Sequence, residues 1–233
     1  MDAYVYGKKR ALPSGFEQFF SGVKSAVVSI DMHSGHLADT PDCPCPAPRA
    51  REIVDPINRF HVACRDLSIP IIHVRTILRK GGVDDVRGLK AAWRLTFPLH
   101  VGPIPNSDES GIEGSEWTTF ATDVQPTDLI VQTKKRLSVF FPTDLDFLLR
   151  NMGIRTLILN GGFTDCCVLN AAFEGSNYGY NIIVARDLVR GTNEEVEDAA
   201  LKIVSLHLGV VVDSTDLLVQ WREAAKAPLV AAE

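Results

Sequence analysis

The chain has 233 residues, with 24 Lys and Arg against 29 Asp and Glu, which gives a formal net charge of −5. This balance, with 45% hydrophobic residues, 17 Gly and 13 Pro, excludes a largely disordered, collagen-like or coiled-coil chain. No apolar run approaches the ~20 residues of a membrane-spanning helix. The densest basic cluster, residues 134–136, is too short to indicate a nucleic-acid surface. We therefore expect neither a nucleic-acid nor a membrane partner.

Five cysteines are present: Cys43, Cys45, Cys64, Cys166 and Cys167. An odd number of cysteines does not fit a framework of disulfide bonds. The first ten residues are polar and basic and do not form a secretory signal. Together these features predict a reducing compartment, the cytoplasm. Cys43 and Cys45 are separated by one residue only, whereas zinc ligands are usually separated by two or more. We expect a Pro-rich surface loop there and no metal.

Short apolar runs recur along the chain and predict six strands: residues 26–30, 70–74, 129–132, 156–159, 181–185 and 210–212. They are continuously apolar, as in parallel strands that are covered on both faces. Helix signals separate them: Pro56 as a first helical residue, a capping pair Thr143 and Asp146 with Gly153 as terminator, a second pair Thr192 and Glu195, and an amphipathic run over 214–225.

This alternation of strands and helices predicts an α/β fold, a three-layer α/β/α domain with a mostly parallel, six-stranded, Rossmann-like sheet. We expect an N-terminal extension over 1–24, one domain over 25–225 and a C-terminal tail over 226–233. Residues 75–128 interrupt the pattern with many Gly, Pro, Asp and Ser. Such a long insertion predicts a lid or an oligomer contact.

Three reactive side chains follow predicted strands. Asp31, Lys134 and Cys167 would meet at one edge of the sheet if their strands are neighbours, because ligands bind beyond the carboxyl ends of parallel strands. They would supply a base, a charge stabiliser and a nucleophile. Taken singly, each residue also fits a role without chemistry: an aspartate in a turn, a solvent-exposed lysine and a cysteine packed in the core.

The turn before Cys167 supports a chemical role. Gly161 and Gly162 allow a tight turn, and Thr164 is placed to cap a helix whose first turn contains Cys167. Free N–H groups and the helix dipole at that end favour a thiolate. Asp31 is then placed to take the thiol proton.

Three segments together resemble a known family: 29–32 (SIDM), 134–145 (KKRLSVFFPTDL) and 161–168 (GGFTDCCV). They are similar to the isochorismatase-like cysteine hydrolases, the superfamily of nicotinamidase, N-carbamoylsarcosine amidase and ureidoacrylate amidohydrolase. The likeness extends over about residues 25–218. Its most specific part is the Gly-x-x-Thr-x-x-Cys-Val turn.

The resemblance implies that Cys167 is the nucleophile, with Cys166 as a packing neighbour, and that Lys134 rather than Lys135 is the family lysine. It also implies a cis peptide before Phe163 and an oxyanion hole formed by the backbone N–H groups of Phe163 and Cys167. The implied reaction is hydrolysis of an amide or ureido bond through an acyl-enzyme. The resemblance further implies a homo-oligomer, a dimer or tetramer, acting on a small-molecule substrate.

The chain departs from the family pattern at two places. His33 and His36 stand where many members have Gln and Phe, and His33 either orients the substrate or Asp31, or only bonds to neighbouring backbone. After the second strand, the metal-binding Asp-x-His run of nicotinamidases is absent. We therefore expect no metal and no cofactor.

Phe140 and Phe163 are the best-placed aromatic residues for the pocket wall, with Trp93 as a weaker candidate. Arg75 is a candidate for pairing with a substrate carboxylate. Each of them also fits a packing or solvated role.

The leading hypothesis is a metal-independent cysteine amidohydrolase acting on a small amide, carbamoyl or ureido compound. Two alternatives stay open. One is isochorismatase-type vinyl-ether hydrolysis with Asp31 as the acid, and the other is a catalytically silent scaffold of the superfamily.

Overall fold

The computed structural model describes residues 1–226. Its strands are β1 (Asp2–Val5), β2 (Lys8–Ala11), β3 (Ser25–Ile30), β4 (Ile71–Thr76), β5 (Leu129–Lys134), β6 (Thr156–Gly162), β7 (Asn181–Arg190) and β8 (Val210–Val212). Its helices are α1 (Ser34–Leu37), α2 (Val54–Asp66), α3 (Trp93–Val101), α4 (Leu145–Asn151), α5 (Leu169–Asn177), α6 (Glu194–Ile203) and α7 (Ser214–Lys226). The predicted C-terminal tail, apart from Lys226, lies outside the described residues.

All eight strands belong to one sheet, in the order β2-β1-β8-β7-β6-β3-β4-β5. Strands β3 to β8 are parallel to one another, and β1 pairs antiparallel with both β2 and β8. The predicted α/β fold with a mostly parallel sheet is confirmed. The predicted count of six strands is wrong, because residues 2–11 of the expected N-terminal extension form a hairpin on the sheet edge. The residues of β2 are all exposed, so this strand has no apolar run to reveal it.

Alternate residues of the central strands enter two separate cores. In β6, Ile158 packs on the face that is covered by α2 and α7, whereas Leu157 and Leu159 pack on the face that is covered by α4 and α5. All three side chains are 1% exposed or less. The continuous apolar runs therefore reflect burial on both faces of the sheet, as expected for parallel strands between two layers of helices.

The chain order of the strands reverses between β3 and β6. From β3 the chain continues to β4 and β5 on one side, and it then returns to β6 on the other side. The register pairs Ile30 with Gly161 at the carboxyl ends. Gly161 has a φ of +110°, and a Cβ there would lie 2.2 Å from the carbonyl oxygen of Ile30. Only glycine allows this approach, which opens the crevice at the switch point where such sheets bind ligands.

Several predicted helix ends are shifted. Helix α2 begins two residues before Pro56. Asp146 does not complete a capping box, because its carboxylate accepts hydrogen bonds from Arg150 and Tyr180. The cap of α6 is Asn193 rather than Thr192. Gly153 follows α4 with a φ of +68°, as its role as a terminator requires.

The Cys43–Cys45 segment is not a surface loop. Both cysteines are buried, and the thiol of Cys43 lies 3.4 Å from the carbonyl oxygen of Gly35. The sequence alone misses this because the covering contacts come from the α1 turn. Within residues 1–226, no three His, Cys, Asp or Glu side chains form a metal-ligand group. No helix in that range is long and apolar enough to cross a membrane.

Candidate active site

Asp31 follows β3 and adopts a left-handed backbone conformation, with a φ of +53°. Aspartate tolerates this region better than most side chains. Its carboxylate is buried and accepts hydrogen bonds from the Thr76 N–H at 2.9 Å, the Thr76 hydroxyl at 3.2 Å and the Lys134 ammonium at 2.7 Å. Its position is therefore fixed by the carboxyl ends of β4 and β5.

Lys134 is the last residue of β5 and is only 1% exposed. Its Nζ lies 2.7 Å from Asp31 Oδ2, 2.7 Å from Thr76 Oγ1 and 3.4 Å from Cys167 Sγ. An ammonium has three protons to donate, and three partners surround it here. Lys134 thus brings the carboxylate and the thiol to one charged centre. Lys135 instead donates to the carbonyl oxygen of Ile77.

Cys167 lies in a π-helical turn, Thr164–Val168, that leads into α5. Phe163 precedes this turn, and the Gly162–Phe163 peptide is cis. The expected cap by Thr164 is wrong, because its hydroxyl is buried and has no hydrogen-bond partner among the described residues. Cys167 Sγ lies 4.0 Å from the sulfur of Cys166.

Burial and charge set the protonation states. Burial is the largest single influence on the pKa of Asp31 and raises it, but the surrounding groups, the Lys134 ammonium first among them, together bring this pKa down to about 2. Burial likewise acts to lower the pKa of Lys134, but the charge and hydrogen bond of Asp31, together with the two neighbouring cysteines, raise it. The hydrogen bond with Cys166 and burial raise the pKa of Cys167 well above its usual value. The resting state is thus a carboxylate, an ammonium and a thiol, not the thiolate that the helix end favoured.

A cavity of about 520 Å³ opens over these three residues. Of the predicted wall residues, Trp93 and Phe163 line it. The ring of Phe163 makes edge contacts with Phe97, at a centroid distance of 5.9 Å, and with His36, at 5.4 Å. Trp93 and Phe97 lie on α3, so the insertion over residues 75–128 supplies part of the wall in the same chain.

Phe140 and Arg75, two of the predicted substrate contacts, do not line the cavity in the described part of the chain. Phe140 lies in the core on the face of the sheet covered by α4 and α5. Its ring packs against Tyr178 and Tyr180, at centroid distances of 5.1 and 6.1 Å. The guanidinium of Arg75 lies over the Phe120 ring at 4.4 Å and donates to Gln132 at 3.1 Å. Both residues have structural roles, because long-range neighbours occupy their side chains.

His33 also lies away from the cavity wall in the described chain and is fully buried. Its Nδ1 donates to the carbonyl oxygen of Trp117 at 2.9 Å, and its Nε2 is 3.9 Å from Asp31. Burial and the neighbouring His36 lower the pKa of His33 to about 3, so the ring is neutral. The bond is to backbone, as one predicted alternative has it, but to a residue distant in the sequence, and the ring also lies beside Asp31, which the other alternative includes. A contact with the substrate stays a prediction.

The sequence reasoning missed Thr76 and His36. Thr76 is the last residue of β4, as Lys134 is of β5, so the same rule of inspecting each strand end points to it. His36 lines the cavity and donates from Nδ1 to the carbonyl oxygen of Cys45 at 2.8 Å. Burial lowers its pKa, so Nε2 is a hydrogen-bond acceptor. No sequence signal separated His36 from His33, because their difference depends on the path of α1.

The fold and the site define a class: a parallel α/β domain with a carboxylate, an ammonium and a thiol at the switch point of its sheet. The chain belongs to the isochorismatase family, since the profile of the Isochorismatase domain matches residues 25–216. The resemblance found in the sequence is thereby confirmed.

Three relatives illustrate the match. Maleamate amidohydrolase of Pseudomonas putida is 26% identical over 205 residues, covering 88% of this chain and 90% of that protein. N-carbamoylsarcosine amidase of an Arthrobacter species is 24% identical over 204 residues, covering 87% and 73%. The crystal structure of a cysteine hydrolase from Pseudomonas syringae pv. phaseolicola superposes with a TM-score of 0.76 at 22% identity, covering 88% of this chain and 96% of that one.

Proposed function

We propose that this protein is a cysteine amidohydrolase that cleaves a carbon–nitrogen bond of a small amide, carbamoyl or ureido compound through an acyl-enzyme on Cys167. One observation carries the proposal. A single buried ammonium, Lys134, contacts both the carboxylate of Asp31 at 2.7 Å and the sulfur of Cys167 at 3.4 Å, on the wall of the cavity.

The names of the relatives support the reaction class. Maleamate amidohydrolase and N-carbamoylsarcosine amidase act on amide and carbamoyl nitrogen, as their names state. The chain is a hydrolase of the same class, acting on carbon–nitrogen bonds other than peptide bonds. No metal ion enters the proposal, because the segment after the second predicted strand, residues 73–76, has no Asp-x-His run of the kind that nicotinamidases carry there.

In the proposed acylation, the thiol of Cys167 attacks the carbonyl carbon while Asp31 accepts its proton. The new carbon–sulfur bond moves the carbonyl electron pair onto oxygen. Lys134 and the backbone N–H groups of Phe163 and Cys167 stabilise that negative charge. The tetrahedral intermediate collapses, the carbon–nitrogen bond breaks, and the proton on Asp31 goes to the leaving nitrogen. Ammonia or an amine departs.

In the proposed deacylation, Asp31 accepts a proton from a water molecule that attacks the thioester. The carbon–sulfur bond then breaks, the acid product leaves, and the proton returns to the sulfur of Cys167. The low pKa of Asp31 suits this cycle, because the carboxylate is free to accept a proton at rest. The raised pKa of Cys167 means that proton transfer accompanies attack, rather than a thiolate forming beforehand.

The test is ammonia release from a panel that includes maleamate, N-carbamoylsarcosine, ureides and simple amides. Cys167→Ala should lower kcat/KM by about 1,000-fold or more on any accepted substrate. Cys166→Ala, its matched neighbour, keeps the nucleophile and should lose far less activity than Cys167→Ala. Full ammonia release by Cys167→Ala would overturn the covalent mechanism.

The vinyl-ether alternative is tested on isochorismate. If Asp31 acts as the acid there, Asp31→Asn loses activity and Cys167→Ala retains it. The low pKa of Asp31 disfavours this route, because a group that is ionised at rest has no proton to donate. A protein without activity on any of these compounds would support the silent scaffold.

A further inference from the structure

The cavity wall is rich in positive charge beyond Lys134. Arg94, Lys135 and Arg136 all line it, together with the carboxylates of Asp85 and Asp165. The carboxylate of Asp165 accepts hydrogen bonds from the backbone N–H and the hydroxyl of Thr192, at 2.7 and 2.8 Å. Lys135 lies 3.8 Å from the carboxylate of Asp84, outside the wall. Lys135 also donates to the carbonyl oxygen of Ile77, whereas the Nε of Arg94 has no hydrogen-bond partner among the described residues, so the two arginines are the candidates for binding a ligand.

Arg136 is held in place without being neutralised. Its Nη1 donates to the carbonyl oxygen of Lys135 at 2.7 Å, and its Nη2 donates to the carbonyl oxygen of Asp84. In the described residues 1–226 it forms no ion pair. A guanidinium has five N–H donors. The two carbonyl contacts therefore orient the Arg136 side chain and leave further N–H groups that can donate to a ligand. An oriented, permanently charged fork suits the two oxygens of a carboxylate.

Arg94 is the second cation of the pair. It lies on α3, and its side chain is only 6% exposed. Its Nε is buried and has no hydrogen-bond partner among the described residues. Its contact with Asp85 is long, at 3.4 Å. A buried guanidinium that is this weakly satisfied is costly unless a ligand completes its hydrogen bonds.

We propose that Arg94 and Arg136 bind a carboxylate of the substrate, so the protein acts on small amide or ureido compounds that also carry a carboxylate. The proposal deepens the proposed function and rests on it. One end of the cavity then holds the cleavable bond at Cys167, and the two guanidinium groups select the charged end. The insertion and the β5–α4 segment each supply one arginine.

The kinetic test compares succinamate with its neutral analogue succinamide. Arg136→Gln should lower kcat/KM for succinamate by about 10- to 100-fold, the value of one charge-assisted contact. The loss should appear mainly in KM, and succinamide should change little. Arg94→Gln should act in the same direction. Arg136→Lys keeps the charge but not the fork, and it should recover only part of the loss.

Arg79→Gln is the matched control. Arg79 also contacts Asp84, at 2.8 Å, but it is exposed and does not line this cavity in the described chain. The Arg79→Gln variant also removes one positive charge next to Asp84. It should leave the preference for succinamate over succinamide unchanged. Equal losses on both substrates in Arg136→Gln and Arg94→Gln would overturn the proposal.

A binding measurement separates this proposal from the proposed function. Succinate is titrated calorimetrically into Cys167→Ala and into Cys167→Ala combined with Arg136→Gln. The proposal expects succinate to bind the first protein and to bind the second about tenfold or more weakly. Equal affinities, or no binding to the first protein, would contradict the carboxylate site. If no amide releases ammonia, the proposed function fails, and this titration still decides the site.

Discussion

Asp31 keeps its negative charge throughout the pH range in which the protein is expected to work. Burial acts to raise the pKa of Asp31, but its neighbours, first among them the Lys134 ammonium 2.7 Å away, together lower it to about 2. A base with so low a pKa is a weak proton acceptor in water. In the proposed mechanism it accepts a proton only as the sulfur of Cys167 or the attacking water forms its new bond, next to the same ammonium.

These protonation states predict a flat pH profile. Asp31 stays ionised, the pKa values of His33 and His36 are lowered, and that of Lys134 is raised. The kcat/KM for an uncharged amide should therefore vary little between about pH 5 and about pH 8. The measurement is initial ammonia release across this range. His36→Gln should keep the same shape, whereas a wild-type acid limb near the usual histidine pKa would show that a histidine titrates in the site.

The sequence predicted Asp31, Lys134 and Cys167 because each follows a strand and two of them lie in recognisable motifs. Thr76 also lies at the end of a strand, so inspection of the strand ends could have identified it. Other roles depended on contacts between distant segments. Phe140 stacks on Tyr180, at a ring-centroid distance of 6.1 Å, and nothing in the sequence around Phe140 predicts that contact.

The insertion over residues 75–128 is tied to the body of the domain by Asp128, at its end. The carboxylate of Asp128 accepts two hydrogen bonds from Arg65 on α2, at 3.0 and 2.6 Å, and it lies 3.1 Å from His73 on β4. Its side chain is 2% exposed. Burial is the largest influence on the pKa of Asp128 and raises it, but the hydrogen bonds from Arg65, the Gln125 backbone and His73, with the Arg65 charge, together lower it to about 2. This cluster holds the insertion and the start of β5 against α2.

Asp128→Asn should lower the free energy of unfolding by about 3 kcal/mol at neutral pH, because it removes one partner of a buried ion pair. A carboxyl with a lowered folded-state pKa contributes stability above its unfolded pKa of about 4 and loses it as pH falls through about 2. The difference between wild type and variant should therefore stay constant from pH 7 to about pH 5 and shrink below about pH 4. Urea unfolding at several pH values measures this, and a difference that did not change with pH would contradict the assigned ion pair.

Helix caps were the least predictable feature of the elements. Thr143 and Thr192 both have an acidic residue three positions later, as a capping box requires. In the structure, Asp146 is taken by Arg150 and Tyr180, and Thr192 is taken by Asp165 in the turn before α5. Tertiary partners therefore override the local pattern. One of these overrides, between Thr192 and Asp165, lies on the cavity wall.

For the molecule as a whole, the sequence predicted the parallel α/β domain and its family because both depend on local signals. Apolar runs reveal strands that are buried on both faces, and the turn over 161–168 is specific to the family. The sequence did not reveal the hairpin over residues 2–11, because an exposed edge strand needs no apolar run. The sequence did not reveal the charged part of the cavity, because Arg94 and Arg136 are 42 residues apart and line the same cavity only in the folded chain.

The whole arrangement explains why the two ends of the proposed substrate are recognised by different parts of the chain. The strand ends of the switch point supply Asp31, Lys134 and the turn before Cys167. The insertion supplies Arg94 and the aromatic wall of Trp93 and Phe97. In the two proposals, the chemistry therefore depends on the strand ends, whereas substrate choice depends on the insertion and on Arg136 of the β5–α4 segment. The predicted dimer or tetramer stays a prediction, and within one chain the cavity already has both kinds of wall.

The most direct test of the central claim is the mass of the intact protein, acid-quenched during turnover of an accepted amide. The account predicts an added mass equal to the acyl group, located by peptide mapping on Cys167 and absent from Cys167→Ala. An adduct on another residue, or steady turnover with no adduct on the wild-type protein, would contradict a covalent mechanism at Cys167.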